Sequence, residues 1–382
     1  MKQILPSYYL QKIKNCTNDL LYRNLILKAS LFIFVSAVIS CKNDFKPKEF
    51  DIEYKDSILT NIDFSYKLQY SILKNQSLSN DSALIVFNNE TKDIFAITLS
   101  NHQTDKIEIQ KNLLKFATSI YIEHDTCYIF EEQSKSFVKL NLKTSAFKRI
   151  SSNLSNKVSY YSIFTPLEKH GNEFCIYKIP HSNLNQTDER NNYFKTNLIV
   201  SLDIGDTIIE NPLPIFFPSK YINKFYNEVY PVISVLSDDS MACVFNHTDS
   251  ILLYFNSKLN YIKTPTFYSS QSPEYSELML KENSFFNDSE YTTIQPQFFK
   301  ILLLKNRVVI FYKCEQSLLN SQDELNSFET ADIKAIEYNI ETKVFSTKKC
   351  RNDIHSQFAI RFNNSIIVPK KSNKLVLYGT NL

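Results

Sequence analysis

One pattern recurs along this 382-residue chain and constrains its fold more than any other feature. An apolar run that ends on a large hydrophobic residue is followed by a short polar turn and a second apolar run. The hydrophobic residues on either side of the turn are six or seven positions apart, and this near-constant spacing predicts β-hairpins of fixed register. The four compact copies are ALIVFNNETKDIFAITL (83–99), TCYIFEEQSKSFVKLNL (126–142), MACVFNHTDSILLYFNS (241–257) and SIIVPKKSNKLVLYGTN (365–381).

Two further copies have longer connections between their strands. EFCIYKI (173–179) is followed by TNLIVSLDI (196–204), and RVVIFYK (307–313) by DIKAIEYNI (332–340). Several hairpins are followed by a further strand-like run, and these outer runs are at 106–110, 147–150, 261–265 and 343–349. The chain therefore contains six similar units, each with the strands of a small antiparallel sheet.

We predict from these units an all-β protein with a six-bladed β-propeller. Four-stranded units in a ring bury both faces of each unit against its neighbours, which a chain of this length needs. A seven- or five-bladed ring, or two β-domains, are the alternatives. An N-terminal strand from FDIEYKDS (50–57) or DFSYKLQYS (63–71) is expected to pair with the last hairpin, because ring closure removes the exposed sheet edges.

The first forty residues have a different character. They contain five basic residues and one acidic residue, and their apolar run, residues 29–40, is only twelve residues long. At ~1.5 Å per residue it spans ~18 Å of a ~30 Å hydrocarbon core, so residues 1–40 are predicted to be a secretory signal peptide. Val38-Ile39-Ser40-Cys41 resembles the lipobox of bacterial lipoproteins. The resemblance implies cleavage between Ser40 and Cys41, a diacylglycerol on the Cys41 sulfur and a further fatty acyl chain such as palmitate on the new amino terminus.

The predicted domains are the signal peptide at 1–40, a lipidated tether at 41–59 and a β-propeller at 60–382. The chain resembles the TolB-like six-bladed β-propeller lipoproteins of Bacteroidetes, many of which are known only as a domain of unknown function. This likeness covers about residues 41–382, with the lipobox as its sharp motif. It implies an exported protein attached to the membrane of the cell envelope through its lipid anchor, and we expect the outer membrane. It supplies no catalytic residues.

Composition excludes several classes of function. Residues 1–40 hold five of the 43 basic and one of the 40 acidic residues, so the mature chain has a net charge of about −1. Nucleic-acid binding needs clustered positive charge, so no nucleic-acid partner is expected. With three glycines there is no glycine-rich phosphate loop, and turns that need a positive φ are expected to use Asn and Asp. The five cysteines after Cys41 are widely spaced, so neither a disulfide framework nor a metal site is expected, and no cofactor is indicated.

The segment NPLPIFFPSKYINKFYNEVYPVI (211–233) is the most unusual connection. One interpretation is an aromatic platform at the mouth of the ring that binds a sugar, a peptide or a protein. The other is that these rings pack the connection onto blades three and four. The aromatic residues concerned are Phe216, Phe217, Tyr221, Phe225, Tyr226 and Tyr230.

Catalytic motifs are not found in the sequence. The six histidines are scattered, no G-x-S-x-G elbow is present, and the acid pairs Glu131-Glu132 and Asp238-Asp239 fall in predicted turns, where carboxylates are usually solvated. We therefore interpret the chain as a lipid-anchored envelope β-propeller that acts as a binding or scaffolding module. The alternative is a glycan-active propeller hydrolase or lyase that uses carboxylates in the central channel. Converging titratable groups with perturbed pKa values would favour the enzyme, and a plugged channel would favour binding.

Overall fold

The computed structural model describes residues 49–51, 54–59, 70–78, 81–88, 91–98, 101, 103–161, 167–170, 173–180, 187–222, 231–237, 240–255, 258–265, 295–317, 319–324, 326, 330–350, 356–362, 365–370 and 374–378. These residues form six small sheets. The described helices are short: α1 (Lys111–Leu114), α2 (Thr187–Lys195) and 3-10 turns at Ser219–Tyr221 and Ser356–Phe358. Within this part of the chain, no helix has both the length and the apolar composition that crossing a bilayer requires.

The strands follow one another blade by blade, apart from the first two, β1 (Glu49–Asp51) and β2 (Tyr54–Leu59). Blade one contains β3 (Tyr70–Leu78), β4 (Asp81–Asn88), β5 (Ile94–Thr98) and β6 (Thr104–Ile107). Blade two contains β7 (Ala117–Glu123), β8 (Thr126–Glu131), β9 (Ser136–Asn141) and β10 (Phe147–Ile150). Blade three contains β11 (Val158–Tyr161), β12 (Glu168–His170), β13 (Glu173–Pro180), β14 (Ile199–Ile204) and β15 (Ile208–Pro212).

The second half of the chain continues the same order. Blade four contains β16 (Pro231–Ser237), β17 (Ser240–Phe245), β18 (Ser250–Phe255) and β19 (Lys258–Lys263). Blade five contains β20 (Gln297–Leu304), β21 (Arg307–Lys313), β22 (Ile333–Asn339) and β23 (Phe345–Lys349). Blade six contains β24 (Ile360–Phe362), β25 (Ser365–Pro369) and β26 (Lys374–Tyr378), with β2 as its outermost strand.

The first strand is innermost in five blades, and in blade three β11 and β12 share that position because both pair with β13. β3 contacts β7 and β24, β16 contacts β12 and β20, and β20 contacts β24, so these inner strands meet around a common axis. The apolar clusters between the blades follow from this arrangement. One cluster joins Ile85 of blade one to Ile129 of blade two, and another joins Val244 of blade four to Ile310 of blade five. Each blade thus buries both faces, and full burial of one such side chain contributes ~1.5–3 kcal/mol.

Ring closure uses the N-terminal strand, as predicted. β2 pairs antiparallel with β26, from Tyr54 opposite Tyr378 to Leu59 opposite Lys374. β1 pairs parallel with β23 and adds a fifth strand to the outer edge of blade five. Of the two stretches proposed for closure, 50–57 overlaps the closing strand, whereas 63–71 runs into β3, the inner strand of blade one. Strand pairing therefore begins by Glu49, inside the segment 41–59 that was predicted as tether.

The six-bladed prediction is confirmed, and all six predicted hairpins are the second and third strands of a blade. The polar insert predicted between the strands of the third hairpin has more structure than expected. It contains α2, whose Tyr193 and Phe194 are buried against blades three and four. The sequence of α2 has little amphipathic periodicity, so the helix depends on these two rings for its attachment.

The turns of this glycine-poor chain use asparagine at their first position, whereas it was expected at the positions with positive φ. An asparagine begins several turns and accepts backbone N–H bonds through its side chain: Asn339 Oδ1 accepts from Glu341 at 3.0 Å and from Thr342 at 2.9 Å. The left-handed position four residues after that asparagine is Lys343, at φ 58°. The expectation that Asn or Asp fills such positions is wrong for most of the described examples. The non-glycine residues with positive φ are Lys92, His124, Lys135, Ser145, Asp323 and Lys343.

Two substitutions in the β22–β23 turn should change stability in opposite directions. Asn339→Ala removes the acceptor for two N–H groups and is expected to lower the free energy of unfolding by about 1 kcal/mol. Lys343→Gly relieves a left-handed conformation that side chains disfavour and should raise it by up to about 1 kcal/mol. Urea denaturation of the two variants and the wild type measures both effects. A loss of stability in Lys343→Gly would contradict this account of the turn.

Candidate functional site

The central channel brings together charged side chains from blades that are distant in sequence. The inner strands all end at one end of the channel, where each turns into the second strand of its blade. We call this end the exit mouth, and it is defined by Tyr121, Glu123, Glu168, Lys169 and Arg361. These residues lie on β7, β12 and β24, each within three positions of the end of its strand.

Arg361 links three blades at the exit mouth. Its Nη1 donates to the carbonyl oxygen of Val235 in blade four at 3.1 Å and to that of Leu303 in blade five at 3.0 Å. Arg361 itself lies on β24 of blade six. A guanidinium satisfies such carbonyls well because its N–H groups have a fixed planar geometry. The side chain therefore ties blade six to the two blades that precede it in the chain.

Blades two and three meet through an ion pair at the same mouth. Lys169 Nζ lies 2.6 Å from Glu123 Oε2 and 2.8 Å from Glu123 Oε1. Nearby, the backbone N–H of Leu167 donates to Ser119 Oγ at 3.1 Å and joins the inner strands of the same blades. Glu168 is almost fully buried, with 6% of its surface exposed. Glu123 and Glu168 are thus the carboxylates at this mouth that the enzyme alternative would need, and sequence reasoning did not identify them.

The perturbed pKa values at the mouth do not favour acid–base chemistry. Burial raises the pKa of Tyr121 well above its usual range, and the negative charges of Glu123 and Glu168 raise it further. Burial lowers the pKa of Arg361, while Glu168 and Tyr121 oppose that shift. A general acid or base needs a pKa near the working pH. Tyr121 is moved away from that range, and arginine begins so far above it that the guanidinium stays charged.

Two rings of the predicted aromatic platform are buried in the structure, and one is exposed. Phe217 and Tyr221 are buried in the core between blades three and four. Phe217 stacks on Tyr193 at 5.1 Å between ring centroids, and the Tyr221 hydroxyl accepts a bond from the His247 backbone N–H at 2.9 Å. Packing therefore accounts for these two rings. Phe216 is half exposed, and Phe225, Tyr226 and Tyr230 lie outside the described residues.

Phe216 is presented by a rigid backbone. It forms an isolated antiparallel bridge with Asn197, just after α2. Asn197 Nδ2 donates to the carbonyl oxygen of Leu213 at 2.6 Å and holds the two segments together. The backbone is thus held beside the blade-three insert, and it presents the half-exposed ring at the surface, where a ligand can reach it.

The other predicted residues give little support for chemistry at a metal or a thiol. Ser40 and Cys41 lie outside the described residues. Cys127, Cys175, Cys243 and Cys350 are buried free thiols, and burial raises the pKa of Cys127 to about 12. In the ranges that the structure describes, no three His, Cys, Asp or Glu side chains are grouped as metal ligands would be.

A second polar cluster, which the sequence did not indicate, joins blades two and three away from the axis, where the Tyr160 backbone N–H donates to Glu132 Oε1 at 3.0 Å. Glu131, expected in a solvated turn, is buried and accepts bonds from Arg149 and from Ser136 Oγ, the latter at 3.1 Å. Glu210 accepts bonds from the Tyr160 hydroxyl and from Lys178. The cluster is structural, because its carboxylates are neutralised by cations within it.

Comparisons with known proteins identify the fold. No protein-family model matches the sequence, and a comparison with curated proteins also gives no match. A solved structure from Bacteroides vulgatus, a member of the DUF4221 family, has a TM-score of 0.66 at 13% identity and matches 87% of this chain and 98% of its own. The chain has the fold of that DUF4221 protein. The resemblance to a Bacteroidetes propeller family is therefore confirmed at the level of the fold.

Two other solved structures match at lower TM-scores. A Bacteroides fragilis protein, described as a candidate exported protein, has a TM-score of 0.46 at 11% identity over 87% of this chain and 94% of its own. A luciferin-regenerating enzyme has a TM-score of 0.43 at 8% identity over 81% of this chain and 92% of its own. Export and luciferin regeneration are described for those two proteins and are not assigned to this chain.

Replacing Arg361 tests its role in joining the blades. Arg361→Met keeps an apolar stem but leaves two carbonyl groups without their charged donor, so we expect the free energy of unfolding to fall by about 3 kcal/mol. Urea denaturation measures the change. Lys148→Met serves as the control, because Lys148 and its partner Asp206 are both largely exposed and their ion pair should matter little. Equal stability of the two variants would contradict the proposed link.

Tyr121 should make the fold sensitive to alkali. Its pKa in the fold is above the value of 10.0 expected for the unfolded chain, so its contribution to stability is complete below pH 10. The contribution is lost as the pH rises from 10 toward the folded pKa, because only the unfolded chain releases the proton in that range. Tyr121→Phe should therefore lose less stability than the wild type between about pH 9 and 11. Parallel slopes of unfolding free energy against pH would refute the assignment.

Proposed function

We propose that this chain is a lipid-anchored propeller of the bacterial cell envelope that acts as a binding or scaffolding module. The lipobox at Val38-Ile39-Ser40-Cys41 supports the anchor and export. Acylation at Cys41 places two or three chains on one residue, and stable attachment requires more than one. The outer membrane is the proposed location.

The observation that carries the binding role is the set of polar contacts at the exit mouth. Arg361 bonds to carbonyl groups of two other blades, and Glu123 is neutralised by Lys169. Catalysis by channel carboxylates would need at least one of them to hold or release a proton near neutral pH. Here Arg361 bonds to the backbone and Glu123 pairs with Lys169, which supports a channel whose polar groups stiffen the ring.

The recognition surface is then expected on the connections rather than in the channel. Phe216 offers an exposed ring on a fixed backbone, beside an insert that carries α2. Aromatic faces stack on sugars and pack against apolar side chains of peptides, so a glycan, a peptide or a protein is the proposed ligand class. Loops on a rigid scaffold are the usual place for recognition.

Lipidation is tested by Cys41→Ser. The wild type should incorporate a labelled fatty acid and float with vesicles on a density gradient, whereas Cys41→Ser should do neither, because serine lacks the thiol that takes the lipid. Cys314→Ser provides the control, since its cysteine is partly accessible and lies in the propeller. Label in Cys41→Ser equal to that in the control would refute the anchor.

An enzyme assay separates binding from the glycan-active alternative. Glu168 is the buried channel carboxylate on which that alternative would depend. The proposed function predicts no release of reducing or unsaturated sugar ends from envelope polysaccharides by the wild type. Release by the wild type that Glu168→Gln abolishes would replace the binding module with the enzyme.

A further inference from the structure

The attachment point of the N-terminal segment lies on the rim of the ring, midway between its two faces. β1 pairs with β23, the outer strand of blade five. Glu49, its first residue, is opposite Thr347, the middle residue of the five-residue β23. β2 then forms the outer strand of blade six. The chain therefore enters the fold at the edge of blades five and six, at a distance from both mouths of the channel.

β1 also changes the burial of the strand that it covers. Thr347 and Lys348 are buried although β23 is the outer strand of its blade. The corresponding strand of blade two, β10, is exposed at three of its four residues. The outer edge of blade five is thus covered by β1, the strand that follows the proposed lipidation site at Cys41.

The length of chain before β1 limits how far this rim can lie from the lipid. Seven residues separate Cys41 from Glu49, so the two Cα atoms are at most ~29 Å apart even in a fully extended chain. Strands in a sheet are ~4.8 Å apart, so two four-stranded blades and the channel place the rim of blade two more than ~29 Å beyond that of blade five. Blade two is three blades from blade five in either direction around the ring.

We propose that the propeller stands on its edge, with the rim of blades five and six against the lipid surface and the channel axis parallel to the membrane. This inference depends on the proposed anchor at Cys41. The seven residues before β1 support it, since three lysines and one aspartate give a segment that anionic headgroups attract. In this orientation both mouths of the channel and the exposed Phe216 remain accessible from the solvent.

The chain offers a matched pair of positions for a test. Ala146 and Val344 occupy the same place in the same type of turn, in blades two and five. Asn141 N donates to Ala146 O at 2.8 Å, and Asn339 N donates to Val344 O at 3.0 Å. The preceding residues, Ser145 and Lys343, have φ angles of 59° and 58°. Both positions are exposed, and they differ chiefly in their distance from β1.

The experiment uses the full lipidated protein in phosphatidylcholine and phosphatidylglycerol vesicles that contain a headgroup-nitroxide lipid. Ala146→Cys and Val344→Cys are each made in a Cys314→Ser background, which removes the partly accessible thiol, and labelled with the same fluorophore. We expect the nitroxide to quench the label at position 344 at least about threefold more than at 146, because the short tether keeps blade five near the headgroups. Equal quenching, or stronger quenching at 146, would overturn the edge-on orientation.

A longer tether gives the complementary result. Twenty Gly and Ser residues inserted after Lys42 should bring the two quenching values within about twofold of each other, since the ring can then turn relative to the surface. A difference that persists would show that something other than tether length sets the orientation, against the inference. Flotation of the labelled vesicles distinguishes the two proposals: protein that fails to float refutes the anchor itself, whereas floating protein with equal quenching refutes only the orientation.

Discussion

The pairing of β2 with β26 is the contact on which the other interactions of the ring depend. It joins residues that are more than 300 positions apart, such as Tyr54 and Tyr378. Closing a loop of this length is entropically costly, although the cost grows only slowly with length. What offsets it is the burial of an apolar face on each side of every blade. Without β2, strand β26 would have an exposed edge. The contact between β24 of blade six and β3 of blade one would also lose the strand pairing that supports it.

Polar contacts also hold the blades together, at places where apolar packing cannot. Near the axis the blades taper, and backbone carbonyls at the ends of inner strands lack strand partners on one side. Arg361 supplies donors there, and the pair of Glu123 and Lys169 joins two other blades. Farther out, the cluster around Glu131 and Glu210 joins blades two and three. The charged groups have polar or oppositely charged partners, because a lone buried charge is far more costly than a paired one.

The sequence predicts what is local and periodic. The hairpin strands were found because a spacing of six or seven residues across a turn is visible in any single copy, and the outer strand at 147–150 matches β10. The exit mouth could not be found this way, because Tyr121, Lys169 and Arg361 are ordinary residues of three separate strands until the ring brings them together. The burial of Phe217 depends on α2. This helix is attached through Tyr193 and Phe194, whose burial cannot be predicted before their packing partners are known.

The position of the closing strand also determines which surface is left for recognition. The first two described strands, β1 and β2, and the last one, β26, lie on one side of the ring, at the rim of blades five and six. The insert with α2 lies between β13 and β14 of blade three, and the exposed Phe216 lies in the connection between blades three and four, on a different part of the perimeter. Connections there can vary in length and composition without altering strand register, because each hairpin fixes its own register. Attachment and recognition are therefore separated by the same closure that makes the ring stable.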